Sequence, residues 1–217
     1  MVWAAETVFG CADVHREPLL EVRKEVGMMG IERALTLPGW MTAEELTYIA
    51  DIASRSKVVV ELGSWRGRSA VCWAENLPPD GRLYCIDTWD DAAFGCESFP
   101  GDTPEMKSKS NWLMENFLFN TSHVAEKIHT MRRTTIDGLS FLDSMGIKAD
   151  VVFIDAGHLA HEVEADILAA YPLLKEGGIL MGHDYGYSGW PDVKTVVDRM
   201  IPQFRVIGTI WTTEAEK

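Results

Sequence analysis

The sequence lacks three features that would assign it to well-known classes of protein. Its four cysteines, Cys11, Cys72, Cys85 and Cys96, include no C-x-x-C pair, so we expect neither a zinc ribbon nor a disulfide framework. No apolar run approaches the roughly 18 residues that a membrane-spanning helix needs. Only 20 basic residues accompany 33 acidic ones, which gives a net charge of -13. Such a charge repels phosphate backbones and anionic membrane surfaces, so neither nucleic acid nor a membrane is expected as a partner.

The amino-terminal residues also lack the basic lead and apolar core of a secretory signal, so a cytoplasmic location is expected. The 217 residues, 47% of them hydrophobic, suffice for one substantial α/β domain with a small extension. We expect a helical extension or lid over residues 1–55 and a cofactor-binding domain over residues 56–217. Within the extension, Thr42 and Glu45 have the spacing of a capping box that opens a helix. The sequence does not decide whether the protein forms a homo-oligomer.

The stretch VVVELGSWRGRS predicts a buried strand, a turn and the start of a helix. Its three valines are apolar on every face, as in a parallel strand that is covered by helices on both sides. Glu61 ends the strand. Gly63 and Gly67 bracket a turn that needs open backbone conformations. Either Ser64 or Ser69 is expected to cap the following helix.

This pattern alone would also suit an ordinary strand-to-helix turn. A second strand favours a ligand-binding turn instead. Residues Arg82–Asp87 form another hydrophobic run that ends in a carboxylate. Asp87 lies roughly 20 residues beyond the turn, where a ribose-binding acid is expected. Because ligands of open α/β sheets bind beyond the carboxyl ends of the strands, the two acids predict a nucleoside pocket.

The turn lacks the features of two common phosphate-binding motifs. The second glycine of a dinucleotide turn is replaced by Trp65, which argues against a nicotinamide oxidoreductase. A P-loop would continue with Lys-Ser or Lys-Thr, whereas Gly67 is followed by Arg-Ser. The turn therefore predicts a ligand without a diphosphate. S-adenosylmethionine fits, because its ribose hydroxyls suit Asp87 and its ammonium group suits Glu61.

Two further strands end in acids. The run Asp150–Asp155 is apolar until its last carboxylate, and the run Ile179–Met181, opened by two glycines, is followed by His183 and Asp184. Two carboxylates at one edge of the sheet need a proton or a cation between them. His158 lies in the short turn after the first of these strands, facing the same edge.

The remaining segments predict the outer parts of the fold. We expect an irregular loop over Thr88–Thr103, a helix over residues 104–119, and a strand over residues 127–133. Thr134 is a candidate N-cap. The strand that ends at Asp155 is followed by a helix whose apolar, sheet-facing stripe ends at Leu174. The last expected elements are a helix over residues 192–200 and an antiparallel pair of strands over residues 204–211. The aromatic residues between Asp184 and that helix suit stacking on an acceptor or closing the hydrophobic edge; these are Tyr185, Tyr187 and Trp190.

Four segments together resemble class I S-adenosylmethionine-dependent methyltransferases: ELGSWRGRS, CIDTW, FIDAGH and GGILMGHDY. They are most similar to the branch that contains macrocin-type sugar O-methyltransferases and cephalosporin hydroxylase-like proteins. The resemblance extends over about residues 57–199. It implies a doubly wound, seven-stranded, mostly parallel α/β sheet and S-adenosylmethionine as the cofactor.

The resemblance also implies site residues. Relatives hold a divalent metal, usually magnesium, at the positions of Asp155 and Asp184. His183 replaces an acid of those relatives; as a ligand it would favour manganese or another transition metal, and it would otherwise point away as packing. His158 matches their general base, and Asp155 shares the catalytic centre. The implied cofactor contacts are Glu61, Gly63, Ser64, Trp65, Gly67, Ser69, Asp87, Thr88, Thr134 and Asp155.

The sequence thus predicts a metal-dependent O-methyltransferase that acts on a hydroxyl of a small metabolite, such as a sugar or a natural product. His158 would accept the hydroxyl proton, since an unperturbed imidazole titrates near pH 6.5. The alternatives are a protein that binds S-adenosylmethionine without catalysis and, with less support, a nicotinamide oxidoreductase.

Overall fold

The computed structural model describes residues 30–90 and 101–215. Within them, seven strands form one sheet in the order β3-β2-β1-β4-β5-β7-β6. The strands are β1 (Val58–Leu62), β2 (Arg82–Asp87), β3 (Ile128–Arg132), β4 (Ala149–Ile154), β5 (Leu174–Gly182), β6 (Arg205–Ile207) and β7 (Ile210–Thr212). Strands β1 to β5 pair in parallel, whereas β7 pairs antiparallel with both β5 and β6. The predicted doubly wound, seven-stranded, mostly parallel sheet is confirmed.

Helices cover both faces of this sheet. They are α1 (Glu32–Thr36), α2 (Ala43–Ser54), α3 (Arg68–Asn76), α4 (Pro104–Lys107), α5 (Trp112–Thr121), α6 (Thr135–Ser144), α7 (Ala160–Ala170) and α8 (Pro191–Met200). Because side chains alternate along a strand, neighbouring residues of β1 enter different cores. Val59 belongs to the core formed with α2 and α3, and Val60 to the core formed with α6, α7 and α8.

The capping box of α2 is confirmed. The Thr42 hydroxyl accepts a hydrogen bond from the Glu45 N–H, and a Glu45 carboxylate oxygen accepts one from the Thr42 N–H at 2.7 Å. Leu46 and Ile49 of the same helix are fully buried in the core of the sheet. The helices before β1 are therefore packed against the sheet, while the boundary between extension and domain stays a prediction.

Three predicted elements differ from the structure. The helix expected over residues 104–119 is wrong: α4 and α5 are separated, and Asn111 adopts the left-handed conformation (φ 66°) that starts the second of them. Strand β5 begins at Leu174, five residues before Ile179, and runs on through Gly177, which takes φ +73° within it. Leu174 therefore opens a strand rather than continuing the inner stripe of α7, which ends at Ala170.

Several predictions fall partly or wholly outside the described residues. Cys11, Cys96 and most of the loop Thr88–Thr103 lie there. Of the cysteines that the structure does describe, Cys72 and Cys85 are buried thiols, as expected for small packing residues. No helix within residues 30–90 and 101–215 is long and apolar enough to cross a membrane.

Candidate active site

The carboxyl ends of β1, β2, β4 and β5 lie side by side and form one edge of the sheet, which we call the carboxyl edge. The N–H of Asp155 donates to the last carbonyl of β1, that of Leu62, at 2.9 Å. The His183 N–H donates to the Ile154 carbonyl at 3.0 Å. These bonds continue the parallel pairing beyond the strands. Acidic side chains at the ends of β1 and β2 and just beyond the ends of β4 and β5 are thereby brought to the same edge.

The turn after β1 lies directly against the end of β4. Gly63 has φ +81°, and a Cβ built on it would lie 1.9 Å from the Asp155 carbonyl oxygen. Trp65 takes a left-handed φ of 41°, and its N–H donates to Asp87 Oδ2 at 2.8 Å. Gly67 is the N-cap of α3 with φ +89°. The turn is therefore fixed by backbone contacts to β4 on one side and to Asp87 on the other.

Glu61 is fully buried beneath this turn. The Ser64 hydroxyl donates to its Oε2 at 2.5 Å. Burial raises the pKa of Glu61 from 4.5 to about 7, although hydrogen bonds with Ser64 and Ser69 favour the ionised form. Among the described residues no group hydrogen-bonds its Oε1. The expected capping of α3 by Ser64 or Ser69 is wrong, because no side chain caps this helix and both hydroxyls contact Glu61.

Replacing Glu61 with glutamine is expected to stabilise the cofactor-free protein at pH 8 by up to about 3 kcal/mol, the cost of a carboxyl pKa raised from 4.5 to about 7. The folded state holds the Glu61 proton more tightly than the unfolded state. Its contribution to the free energy of unfolding is therefore highest below about pH 4.5 and falls as the pH rises to about 7. Urea unfolding at pH 8 and pH 5 checks this: the difference between variant and wild type should fall to about a quarter of its pH 8 value at pH 5. A difference of equal size at both pH values would contradict it.

Asp87 lies at the end of β2 and is already engaged with the backbone. Its Oδ2 accepts the Trp65 N–H and its Oδ1 accepts the Trp89 N–H at 2.6 Å. Burial raises the pKa of Asp87, against the effect of these hydrogen bonds. Thr88 and Thr134 are exposed near this end of the sheet. The Thr134 hydroxyl caps α6, as predicted; its contact with the adenine of a cofactor stays a prediction.

Three side chains after β4 and β5 converge on one point of the carboxyl edge. Asp155, His158 and Asp184 each present a potential ligand atom, and these atoms lie within 4.8 Å of one another. The His158 Nε2 is 2.9 Å from Asp184 Oδ2. Burial raises the pKa of Asp155 to about 6, although the neighbouring histidines oppose this shift. For Asp184 burial is outweighed by hydrogen bonds to both histidines, which hold its pKa below the usual range.

His183 lies buried between two sets of carboxylates. Its Nδ1 is 3.3 Å from Asp184 Oδ1 and 3.7 Å from Asp155 Oδ1. Its Nε2 is 2.9 Å from the Thr209 hydroxyl and 3.5 Å from Glu45 Oε1. Burial alone would lower the pKa of this imidazole, but the surrounding carboxylates raise it to about 10. One ring nitrogen thus faces the acids of the carboxyl edge, and the other faces the amino-terminal helix α2.

No sequence pattern indicates the contact between Glu45 and Thr209. The Thr209 N–H and hydroxyl both donate to Glu45 Oε1, at 2.7 and 2.8 Å. Glu45 was predicted only as half of a capping box. Its second oxygen instead holds the turn between β6 and β7 and approaches His183. A small cleft lies at the carboxyl edge, lined by Asp155, His158, His183, Asp184, Trp211 and five neighbouring residues.

Comparison with known proteins agrees with this geometry. The model of a family described as a methyltransferase domain matches residues 60–185, which is more than half of the chain. That match spans the glycine turn and the acids that follow β2, β4 and β5. A comparison with curated protein sequences finds no match.

Solved structures share the fold at low sequence identity. An O-methyltransferase from Bacillus cereus in complex with SAH is 13% identical, with 89% of this chain and 94% of that chain covered and a TM-score of 0.61. An O-methyltransferase from Streptomyces achromogenes involved in tomaymycin synthesis, in complex with SAM, is 17% identical, with 85% of both chains covered and a TM-score of 0.58. A TDP-rhamnose 3'-O-methyltransferase of calicheamicin biosynthesis is 16% identical, with 94% of this chain and 97% of that chain covered and a TM-score of 0.54. The chain belongs to the methyltransferase-domain family and has the fold of class I S-adenosylmethionine-dependent methyltransferases.

Proposed function

We propose that this protein transfers the methyl group of S-adenosylmethionine to a hydroxyl oxygen of a small metabolite, a sugar or a natural-product-like acceptor. The observation that carries the proposal is the His158 imidazole, which is hydrogen-bonded to Asp184 beside a second carboxylate at the carboxyl edge. The names of structural neighbours that act on TDP-rhamnose or take part in tomaymycin synthesis support the O-methyltransferase assignment. They also support a small acceptor.

The donor would be held at the glycine turn. The buried Oε1 of Glu61 has no hydrogen-bond partner in the described part of the chain, so it suits the ammonium group of the methionine moiety. Asp87 lies at the end of β2, where a carboxylate suits the ribose hydroxyls. The other proposed cofactor contacts are those of the resemblance: Gly63, Ser64, Trp65, Gly67, Ser69, Thr88, Thr134 and Asp155.

His158 would act as the general base. Because its Nε2 lies beside Asp184, the neutral ring carries its proton there and keeps Nδ1 free to accept another. His158 takes the acceptor's hydroxyl proton while the oxygen attacks the methyl carbon, and the carbon–sulfur bond breaks to leave S-adenosylhomocysteine. Asp184 then stabilises the imidazolium that forms. Positioning supplies much of the rate, because the sulfonium methyl is already activated.

The same edge fits a divalent cation. Asp155 and Asp184 offer carboxylate oxygens. The Nδ1 of His183 lies within 3.7 Å of both and would join them as a ligand only after losing the proton that these carboxylates stabilise on the ring. His158 lies in reach of the two acids as well, but as the base it keeps its free nitrogen for the acceptor's proton and is not counted among the ligands. Carboxylate oxygens suit magnesium, whereas an imidazole in the set favours manganese or another transition metal. A bound cation would lower the pKa of the acceptor hydroxyl and orient it.

The proposal is tested with a panel of hydroxylated acceptors that includes TDP-rhamnose and catechols. We expect formation of S-adenosylhomocysteine together with a methylated acceptor, both detected by mass spectrometry. Excess EDTA should reduce the activity to background, and added magnesium or manganese should restore it.

The outcomes separate the parts of the proposal. Full activity in excess EDTA would reject the cation and leave methyl transfer intact. Binding of S-adenosylmethionine, measured by calorimetry, without turnover on any acceptor would favour the alternative of a non-catalytic binding protein.

A further inference from the structure

We propose that Trp190 is a positioning residue that holds the imidazole of His158 in the plane required for proton transfer; this inference rests on the proposed role of His158 as the base. The indole and imidazole rings lie nearly parallel, with centroids 4.4 Å apart and planes inclined by only 10°. Trp190 remains 40% exposed, so it is not a residue of the hydrophobic core. Core packing therefore does not explain why its indole face contacts the imidazole of His158.

The backbone holds Trp190 over the ring. The residue precedes Pro191 at the start of α8, and its N–H donates to the Tyr187 carbonyl at 3.1 Å. Two residues further, the Asp192 carboxylate accepts the N–H of Ala160 at 3.0 Å. Ala160 itself follows His158 by two residues and opens α7. The segment around His158 and the segment around Trp190 are thus joined twice, once by stacked rings and once by a hydrogen bond.

The stack and the bond to Asp184 constrain different motions of the imidazole. The hydrogen bond at 2.9 Å from Nε2 to Asp184 fixes the direction in which one ring nitrogen points. A single hydrogen bond still allows the ring to tilt about the Cβ–Cγ bond of His158. The parallel indole face opposes this tilt, since tilting separates the stacked surfaces. Together the two contacts keep Nε2 on the carboxylate and present Nδ1 to the acceptor.

Without the indole, the ring should tilt about the Cβ–Cγ bond, and the tilt should lengthen and weaken the hydrogen bond from Nε2 to Asp184. The proton could then reside on either nitrogen, and the fraction of molecules with a free Nδ1 would fall. Small displacements of a catalytic group reduce rates strongly, because the reacting atoms must be within near-attack distance. Loss of Trp190 should therefore lower the rate of the chemical step and leave binding of the methyl donor unchanged.

The direct test is nitrogen-15 NMR of histidine-labelled protein under alkaline conditions, with the His158 signals assigned by their loss in His158→Gln. The wild type should show the widely separated ring-nitrogen shifts of one tautomer. In Trp190→Ala this separation should narrow, and in Trp190→Phe, which keeps a stacking ring, it should be largely restored. Tyr171→Ala removes an exposed aromatic side chain at the far end of α7 and should have no effect. An unchanged separation in Trp190→Ala overturns the proposal.

Kinetics supply the second measurement, with whichever acceptor of the panel is turned over. Trp190→Ala should lower kcat by about 10- to 100-fold with the KM for S-adenosylmethionine within about twofold of wild type, and Trp190→Phe should recover most of the loss. Full activity of Trp190→Ala beside an inactive His158→Ala would refute the positioning role alone. Full activity of both variants would instead refute the proposed base.

Discussion

His158→Ala is expected to lower kcat by about 10²- to 10⁴-fold, the usual contribution of a positioned general base. The Kd for S-adenosylmethionine should stay within about twofold of wild type. The side chain reaches Asp184 and the ring of Trp190, and neither contact lies in the glycine turn that is proposed to hold the donor. Rapid-quench measurements of methyl transfer, beside calorimetry with the cofactor, check the two parts separately.

His161→Ala is the matched control for this variant. His161 lies three residues after His158, in the first turn of α7, and its side chain is exposed. It should lose neither activity nor cofactor affinity. Should His158→Ala lose both in equal measure, the side chain supports the fold or the donor site rather than acting as a base. A thermal unfolding scan of both variants separates those cases, because a loss of fold lowers the unfolding temperature in proportion to the lost activity, whereas the loss of a base leaves a folded, inactive protein.

The acids at the carboxyl edge could be predicted from sequence for a simple geometric reason. Parallel strands that are buried on both faces appear as short apolar runs, and the residue after each run must emerge at the same edge. Glu61, Asp87, Asp155 and Asp184 all follow such runs, and the structure brings them to one edge. The inference needs only local patterns and the rule that crossovers between parallel strands keep one direction.

The link from Glu45 to the same edge could not be predicted, because it depends on contact between residues 164 positions apart. A capping box explains a glutamate at Glu45 completely in local terms, so nothing in the pattern indicated a second role. Thr209 lies in a short turn with no motif of its own. The position of that turn follows from how β7 pairs antiparallel with β5, which is a property of the whole sheet.

The prediction that Ser64 or Ser69 caps α3 was wrong for a different reason: a local rule was overridden by a buried charge. Serine at the start of a helix commonly caps it. Here the hydroxyls of Ser64 and Ser69 contact Glu61 instead, because a carboxylate that is removed from water needs hydrogen-bond donors. The burial of Glu61 was predictable from its strand, but the competition for its donors was not.

Gly63→Ala is expected to destabilise the protein by more than about 3 kcal/mol and to abolish binding of S-adenosylmethionine. The new Cβ would lie 1.9 Å from the carbonyl oxygen of Asp155 and 2.8 Å from the Cα of Ala156. Neither neighbour is a flexible side chain. Gly63 cannot move away, because its N–H donates to the Ile86 carbonyl at 2.9 Å. Relief of the clash must therefore separate β1 from β4, at a cost well above the usual range for a surface substitution.

Gly146→Ala is the control that separates this clash from backbone strain. Gly146 also has a positive φ, +70°, but a Cβ there would meet no atom within 4 Å. Its replacement should cost about 1 kcal/mol, the penalty of the left-handed conformation alone, and should leave cofactor affinity unchanged. Urea unfolding and calorimetry with S-adenosylmethionine measure both quantities. Equal losses of stability in the two variants would contradict the close contact between the turn and Asp155. The glycine turn would then not be the wall of the donor pocket.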